Sequence, residues 1–212
     1  MIRIKKFTFN PFQENSYLLV NDKNDCIVVD PGCFNANEED ELSKYIENEK
    51  LTPTHLINTH FHIDHVLGNN FVADKYNLPV TAYNSEIDMI AMAERSAKLY
   101  GIPYKSSPKP THFLNEGNTI EFGASQINVL FVPGHSPDHI VLVCEAENFM
   151  IGGDVLFKGS VGRTDLPGGN HHDLIENIEK KIFTLPDSIK VYSGHGLETT
   201  VRVEKNTNPF FT

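Results

Sequence analysis

Apolar residues along this chain fall first into short runs and alternations, and later into helical stripes. Residues 3–9 alternate, with Ile4 set against Lys5 and Lys6. Residues 17–20 and 26–30 are apolar runs parted by the polar turn Asn21-Asp22-Lys23-Asn24. Short runs bounded by turn residues predict three strands. Asp30-Pro31-Gly32 breaks the chain, and residues 38–50 then carry Leu42, Tyr45 and Ile46 at helical spacing, which predicts an amphipathic helix. A short strand is predicted over 54–58. Helices are predicted over 68–76 and 85–100, the second capped by Asn84 or Ser85 and ended by Gly101. Pro103, Pro108 and Pro110 make the next stretch an irregular loop. Strands return over 119–122, 126–132, 140–144 and 149–151. A glycine-rich loop over 159–169 follows, then a helix over 172–183, a strand over 190–192 and a helix over 198–205. Strands then helices, twice and with no linker, predict a single α/β (α+β) domain over 1–212, built as two packed sheets covered by helices.

Charge narrows the function. The 212 residues carry 18 Lys and Arg against 28 Asp and Glu, a net charge of −10. That balance opposes a broad basic face, so no nucleic-acid partner is expected. No apolar run reaches the length of a membrane span or a signal h-region. A cytoplasmic chain, full-length from Met1 and with no membrane partner, is expected. Cys26, Cys33 and Cys144 cannot all pair and form no CxxC, which fits a reducing compartment. The unusual feature is 10 histidines beside no tryptophan, with the histidines clustered.

The strongest cluster is Thr59-His60-Phe61-His62-Ile63-Asp64-His65, directly after a predicted strand. Imidazole and carboxylate are ligands for zinc and similar divalent ions. In extended backbone His60 and His62 point the same way. A helical turn beginning near Asp64 would direct Asp64 and His65 to a second position, so the spacing suits two adjacent metals. One local cluster cannot complete two coordination shells. Three further strand ends carry glycine and then a ligand-type residue: Gly134-His135, Gly153-Asp154 and Gly194-His195. Glycine permits the tight turn that aims such a residue into a shared cleft.

With these motifs in place the chain resembles the metallo-β-lactamase-fold hydrolase superfamily, and within it a short glyoxalase II-like (hydroxyacylglutathione hydrolase-like) protein. The resemblance runs from Asn15-Ser16-Tyr17 and Asp30-Pro31-Gly32, through the histidine motif and the segment 153–169, to Gly194-His195-Gly196 and Asn208-Pro209-Phe210. It implies an αββα four-layer sandwich with the metals at one edge. It implies two divalent metal ions, zinc first, with iron or manganese as alternatives. His60, His62 and His135 would hold one ion, and Asp64, His65 and His195 the other. Asp154 would bridge them together with a water or hydroxide. Asp30 and His139 match positions just behind the ligands. One residue departs from the pattern: Asp138 stands where the family usually has glycine, which predicts an altered turn and puts the role of His139 in question.

The implied reaction is hydrolysis of a small-molecule thioester, a hydroxyacyl-glutathione-type compound first, by a metal-bridged hydroxide, with Asp64 and Asp154 in the catalytic centre. Arg163, with Lys158 second, is expected to anchor the anionic thiol carrier, because an arginine holds a carboxylate through two parallel hydrogen bonds. The competing reading of Arg163 is a pairing with Asp165 that shapes the loop. The rival activities are a persulfide dioxygenase using mononuclear iron, whose Gly-Arg-Thr-Asp pattern recurs at 162–165, and a broader ester or lactone hydrolase. A true β-lactamase is disfavoured, since that group tends to use cysteine where Asp154 stands. A C-terminal helical segment like that of full-length glyoxalase II proteins is not expected in this chain. Residues 91–114 are expected to border the mouth of the site, with Tyr100 and Tyr104 as the side chains of interest.

Overall fold

The computed structural model describes residues 1–212, and the chain folds as two units, Met1–Leu114 and Asn115–Thr212. The first unit holds a six-stranded sheet whose strands lie side by side in chain order. They are β1 (Arg3–Phe9), β2 (Glu14–Val20), β3 (Asp25–Val29), β4 (Thr52–Ile57), β5 (Val80–Tyr83) and β6 (His112–Leu114). The first three form an antiparallel meander, and β3 to β6 run parallel. Parallel neighbours need long crossovers. These are supplied by α1 (Ala36–Asn48), by α2 (Ile63–Val66) with α3 (Asn69–Tyr76), and by α4 (Met89–Tyr100). Leu42 and Ile46 of α1, Val72 of α3 and Ala93 of α4 are buried in one apolar cluster with Leu18, Val28 and Leu56 of the sheet. The side chain of Asn35 caps α1 by accepting from the N–H groups of Asn37 and Glu38.

The second unit contains β7 (Thr119–Phe122), β8 (Ser125–Phe131), β9 (Ile140–Cys144), β10 (Phe149–Gly153), the small hairpin β11 (Leu156–Phe157) and β12 (Ser160–Val161), α5 (His171–Asn177), β13 (Lys190–Ser193), β14 (Thr199–Thr200) and α6 (Val201–Thr207). Its six-stranded sheet has the order β14-β13-β10-β9-β8-β7. Leu174 of α5 and Val201 of α6 are buried with Val141, Met150 and Val191.

Strand direction places the chemistry. In the first unit the parallel pair β3 and β4 ends at one edge, so Asp30 and Thr59-His60 emerge there, joined by the Asp30 N–H to the Ile57 carbonyl at 3.0 Å. In the second unit β8 and β10 both pair antiparallel with β9, and β13 runs parallel to β10. The chain after β8, β10 and β13 therefore leaves from one edge, and it carries His135, Asp154 and His195. Ligands in α/β sheets gather at such carboxyl ends.

Several elements differ from the sequence reading. β5 and β6 were not predicted. α4 begins at Met89, not at 85, because the Ser85 hydroxyl accepts from Ile87 N–H in a turn and Asp88 is the residue that caps the helix through Ala91 N–H. The predicted helix over 172–183 is an α-turn segment that widens into a π-helix at Ile178–Ile182. The glycine-rich loop contains the β12 strand, and the last predicted helix is split into β14 and α6.

The three cysteines are free and buried. Burial pushes the Cys26 thiol up to about 12, with the Asp25 carboxylate adding to it. Cys33 and Cys144 are raised by burial as well. The thiolate is the reactive form, and at pH 8 almost none is present. Native protein treated with iodoacetamide at that pH is expected to gain no label at these positions, whereas denatured protein gains three; intact mass distinguishes the two. Rapid labelling of the native chain would contradict the burial.

Candidate metal centre

The first unit presents His60, His62, Asp64 and His65 on the chain leaving β4. Asp30 organises this stretch from the end of β3. Its backbone is left-handed, with φ 49°, a conformation that aspartate tolerates better than most residues. One carboxylate oxygen accepts from Thr59 N–H at 2.7 Å, and the other accepts from the Thr59 hydroxyl at 2.6 Å and from His65 Nδ1 at 3.1 Å. These contacts fix the tautomers. The Thr59 hydroxyl hydrogen points to Asp30, so the contact of Thr59 Oγ1 with His60 Nδ1 at 3.1 Å has the ring as donor. His60 Nε2 then carries the ring's lone pair and lies 3.1 Å from His62 Nδ1. His65 donates through Nδ1, and its Nε2 stands 3.8 Å from Asp64 Oδ2. A histidine whose far N–H is held by a carboxylate is the usual second layer of a metal ligand.

The second unit repeats the device. His135 Nδ1 donates to the Arg163 carbonyl at 2.7 Å, which directs Nε2 to Asp154. Asp154 Oδ2 lies 3.5 Å from His135 Nε2 and 3.5 Å from His195 Nε2. His139 Nε2 accepts from Asp154 N–H at 3.0 Å and so holds the carboxylate-bearing residue from behind. Two ligand atoms bound tetrahedrally to one zinc-sized ion are about 3.3 Å apart. The 3.1 Å and 3.5 Å separations bracket that value, and the nitrogen and oxygen donors match the preference of a borderline divalent ion. Each half-set fits a metal.

Asp138 leaves the turn intact. Its backbone stays out of the left-handed region, its buried carboxylate accepts from the Ser136 hydroxyl, and His139 keeps its bond to Asp154. The Arg163 guanidinium, largely exposed, makes two bonds to Asp165, Nε to Oδ1 at 2.7 Å and Nη2 to Oδ2 at 2.8 Å. That contact pulls the Asp165 carboxyl down to about 2. Lys158 is exposed at the turn of the β11–β12 hairpin.

Tyr100 is half exposed and meets Phe12 edge to face at 5.5 Å. Tyr104 is partly buried against the core, and its hydroxyl accepts from Ser107 N–H at 3.0 Å. The loop over 102–111 is tied to the His65 turn from behind. Asn69 donates to Ser107 Oγ and to Asn58 Oδ1, and Asn58 donates to the His65 carbonyl at 3.0 Å.

Sequence reasoning missed several supports. Glu14 is fully buried, with Oε1 3.9 Å from His65 Nδ1 and Oε2 accepting from the Ser16 hydroxyl at 2.8 Å. Burial pushes its carboxyl well above the usual range; His65 opposes this, and the charges of Asp30 and Asp64 add to it. Asn10 donates to the carbonyls of Gly32 and Asp64, each at 3.0 Å. A lone acid at the head of the apolar stretch Tyr17–Val20 was the available signal for Glu14.

The model of the metallo-beta-lactamase superfamily matches residues 9–195, and the chain belongs to that superfamily. It has the metallo-β-lactamase fold, the class the sequence predicts. It is 36% identical to the "Probable metallo-hydrolase YqgX" of Bacillus subtilis, covering 97% of this chain and 96% of that one. It is 32% identical to the "Hydroxyacylglutathione hydrolase GloC" of Haemophilus influenzae, covering 94% and 93%. Among solved structures, the BLEG-1 B3 metallo-beta-lactamase superposes with TM-score 0.90 at 34% identity, covering 99% of this chain and 100% of that one. TTHA1623 in a di-iron-bound form gives 0.86 at 32% identity, covering 97% and 99%. The chain is thus a metallo-hydrolase of this superfamily, similar to proteins of more than one substrate class.

Proposed function

We propose that the protein is a thioester hydrolase holding two divalent ions, with hydroxyacyl-glutathione-type compounds as its substrate class. His60, His62 and His135 would hold one ion, Asp64, His65 and His195 the other, and Asp154 both. The observation that carries the proposal is the donor geometry of the two half-sets. In each, histidines are fixed through one nitrogen with the other directed at a neighbouring ligand. The similarity to GloC supplies the thioester class.

When bound, the ions would supply Lewis acidity at the substrate carbonyl and a nucleophile from water at neutral pH. The chain's own residues do the positioning. Asp30 and the Arg163 carbonyl hold the Nδ1 protons of His65 and His135, which leaves Nε2 as the ligating nitrogen of each ring, and His139 sets the direction of Asp154. A thiolate leaves without a strong general acid, so the absence of a Ser-His-Asp arrangement in the motifs is no obstacle. Zinc is the proposed metal and the cytoplasm the proposed location. The substrate's carboxylates would be met by Lys158 and Arg163, the latter after exchanging its pairing with Asp165.

Purified protein should be loaded with zinc, a second portion with iron(II), and each given a hydroxyacyl-glutathione thioester, a cephalosporin and a glutathione persulfide in parallel. Thiol release from the thioester is expected to dominate, to vanish with a chelator and to return with zinc. Arg163→Ala is expected to raise KM about 10-fold with kcat little changed, the pattern of lost uniform binding. Faster turnover of the cephalosporin, or oxygen consumption with the persulfide, would replace the proposed substrate class. A fall of kcat and metal content together in Arg163→Ala would reduce that residue to a loop-shaping role.

A further inference from the structure

The two segments that carry Asp154 and His195 are joined behind those residues by a buried anion. Glu204, in α6, has no exposed surface. Its carboxylate receives three neutral donors from three places: the Gly159 N–H at 2.9 Å, the Asn208 amide at 2.8 Å and the Thr199 hydroxyl. Asn208, also fully buried, donates in addition to the Ser160 carbonyl at 3.0 Å. Gly159 and Ser160 lie in the hairpin on the chain leaving Asp154, and Thr199 opens β14 on the chain leaving His195. Two bonds nearer the site complete a ladder: Gly194 N–H to the Gly153 carbonyl at 2.7 Å, and the Ser193 hydroxyl to the Leu156 carbonyl at 2.6 Å.

Burying a carboxylate is expensive unless its oxygens are well supplied with donors. A helix that only had to pack would place an aliphatic side chain here, as α6 does at Val201. A single anion instead collects the far ends of both ligand-bearing arms. Charge-assisted bonds are the stronger and more directional kind.

We infer that Glu204 is a positioning residue that, braced by Asn208, sets the separation of the arms bearing Asp154 and His195. It thereby tunes the affinity for the ion those side chains would share. The inference rests on the ligand assignment proposed above.

The test is zinc affinity of the metal-free chain, by competition with a chromophoric zinc chelator, at a temperature where circular dichroism shows every variant folded. Glu204→Leu leaves three donors, those of buried Thr199 and Asn208 among them, without their acceptor, while Glu204→Gln preserves shape and can satisfy them if the Thr199 hydroxyl rotates. Substitutions behind metal ligands typically weaken binding about 10- to 100-fold. Glu204→Leu is expected in that range, with Glu204→Gln within about 3-fold of wild type and the exposed control Thr207→Ala unchanged. If Glu204→Leu does not fold, Asn208→Ala decides, with weaker binding expected. Wild-type affinity in a folded Glu204→Leu, or in Asn208→Ala as its substitute, would overturn the inference, even if the melting temperature falls. Failure of the wild-type chain to bind zinc would instead overturn the ligand assignment and the inference with it.

Discussion

Asp154→Asn is expected to lower turnover by at least about 100-fold while the metal-free chain keeps its fold. Losses of 10- to 100-fold are usual for residues one layer behind a ligand, and a shared ligand should exceed them. Asp154 Oδ2 stands 3.5 Å from both His135 Nε2 and His195 Nε2. Asparagine has the same shape, and its backbone N–H still donates to His139. What changes is one negative charge and one acceptor oxygen, replaced by an NH2 that cannot bind a cation. On the two-ion assignment proposed above, ions close together would need that charge to offset their repulsion, so one of them should leave. Metal content is expected to fall from two per chain to about one or less, read by elemental analysis on folded protein. A variant that retains two ions and wild-type turnover would show that Asp154 bridges nothing.

Much of this site was legible because its signals are local. The histidine motif follows a strand whose apolar run is plain, and the turn placing Asp64 and His65 forms where α2 begins. The three glycine-led strand ends carry His135, Asp154 and His195 as read. Elements without a local signature were lost. β5 is only four residues long and follows Pro79, and β6 is three residues at a sheet edge with two of them exposed. Neither is long enough to show a period. Glu14 and Glu204 resemble solvated acids until distant partners appear. The donor to Glu204 at Gly159 is 45 residues away, and no hydropathy pattern records such a pairing. Arg163 carried two readings in sequence, and its bidentate bond to Asp165 is the pairing that the competing one named.

Gly162→Ala is expected to weaken metal binding, through space and not through backbone strain. A Cβ there would fall 1.9 Å from the Asp154 carbonyl oxygen and 3.0 Å from Cβ and Cγ of His135. The first obstacle is backbone, so no rotamer change relieves it. Gly162 N–H donates to the Val155 carbonyl at 3.2 Å, which keeps the 162 backbone pressed against the segment carrying Asp154. A methyl group must push Asp154 and His135 apart or tear that contact, and either outcome spoils the 3.5 Å approach of His135 Nε2 to Asp154 Oδ2. Gly117→Ala separates this from strain alone. Gly117 has φ +80° but nothing within 4 Å of a Cβ, so alanine there should cost about 1–2 kcal/mol of stability and leave metal content unchanged. Thermal unfolding with metal analysis on both variants tests the contrast. Gly162→Ala should bind less metal than wild type at a temperature where it is fully folded, with turnover down at least about 100-fold. If it keeps its metal and loses only stability, as Gly117→Ala should, the chain around Asp154 yields more readily than its packing implies.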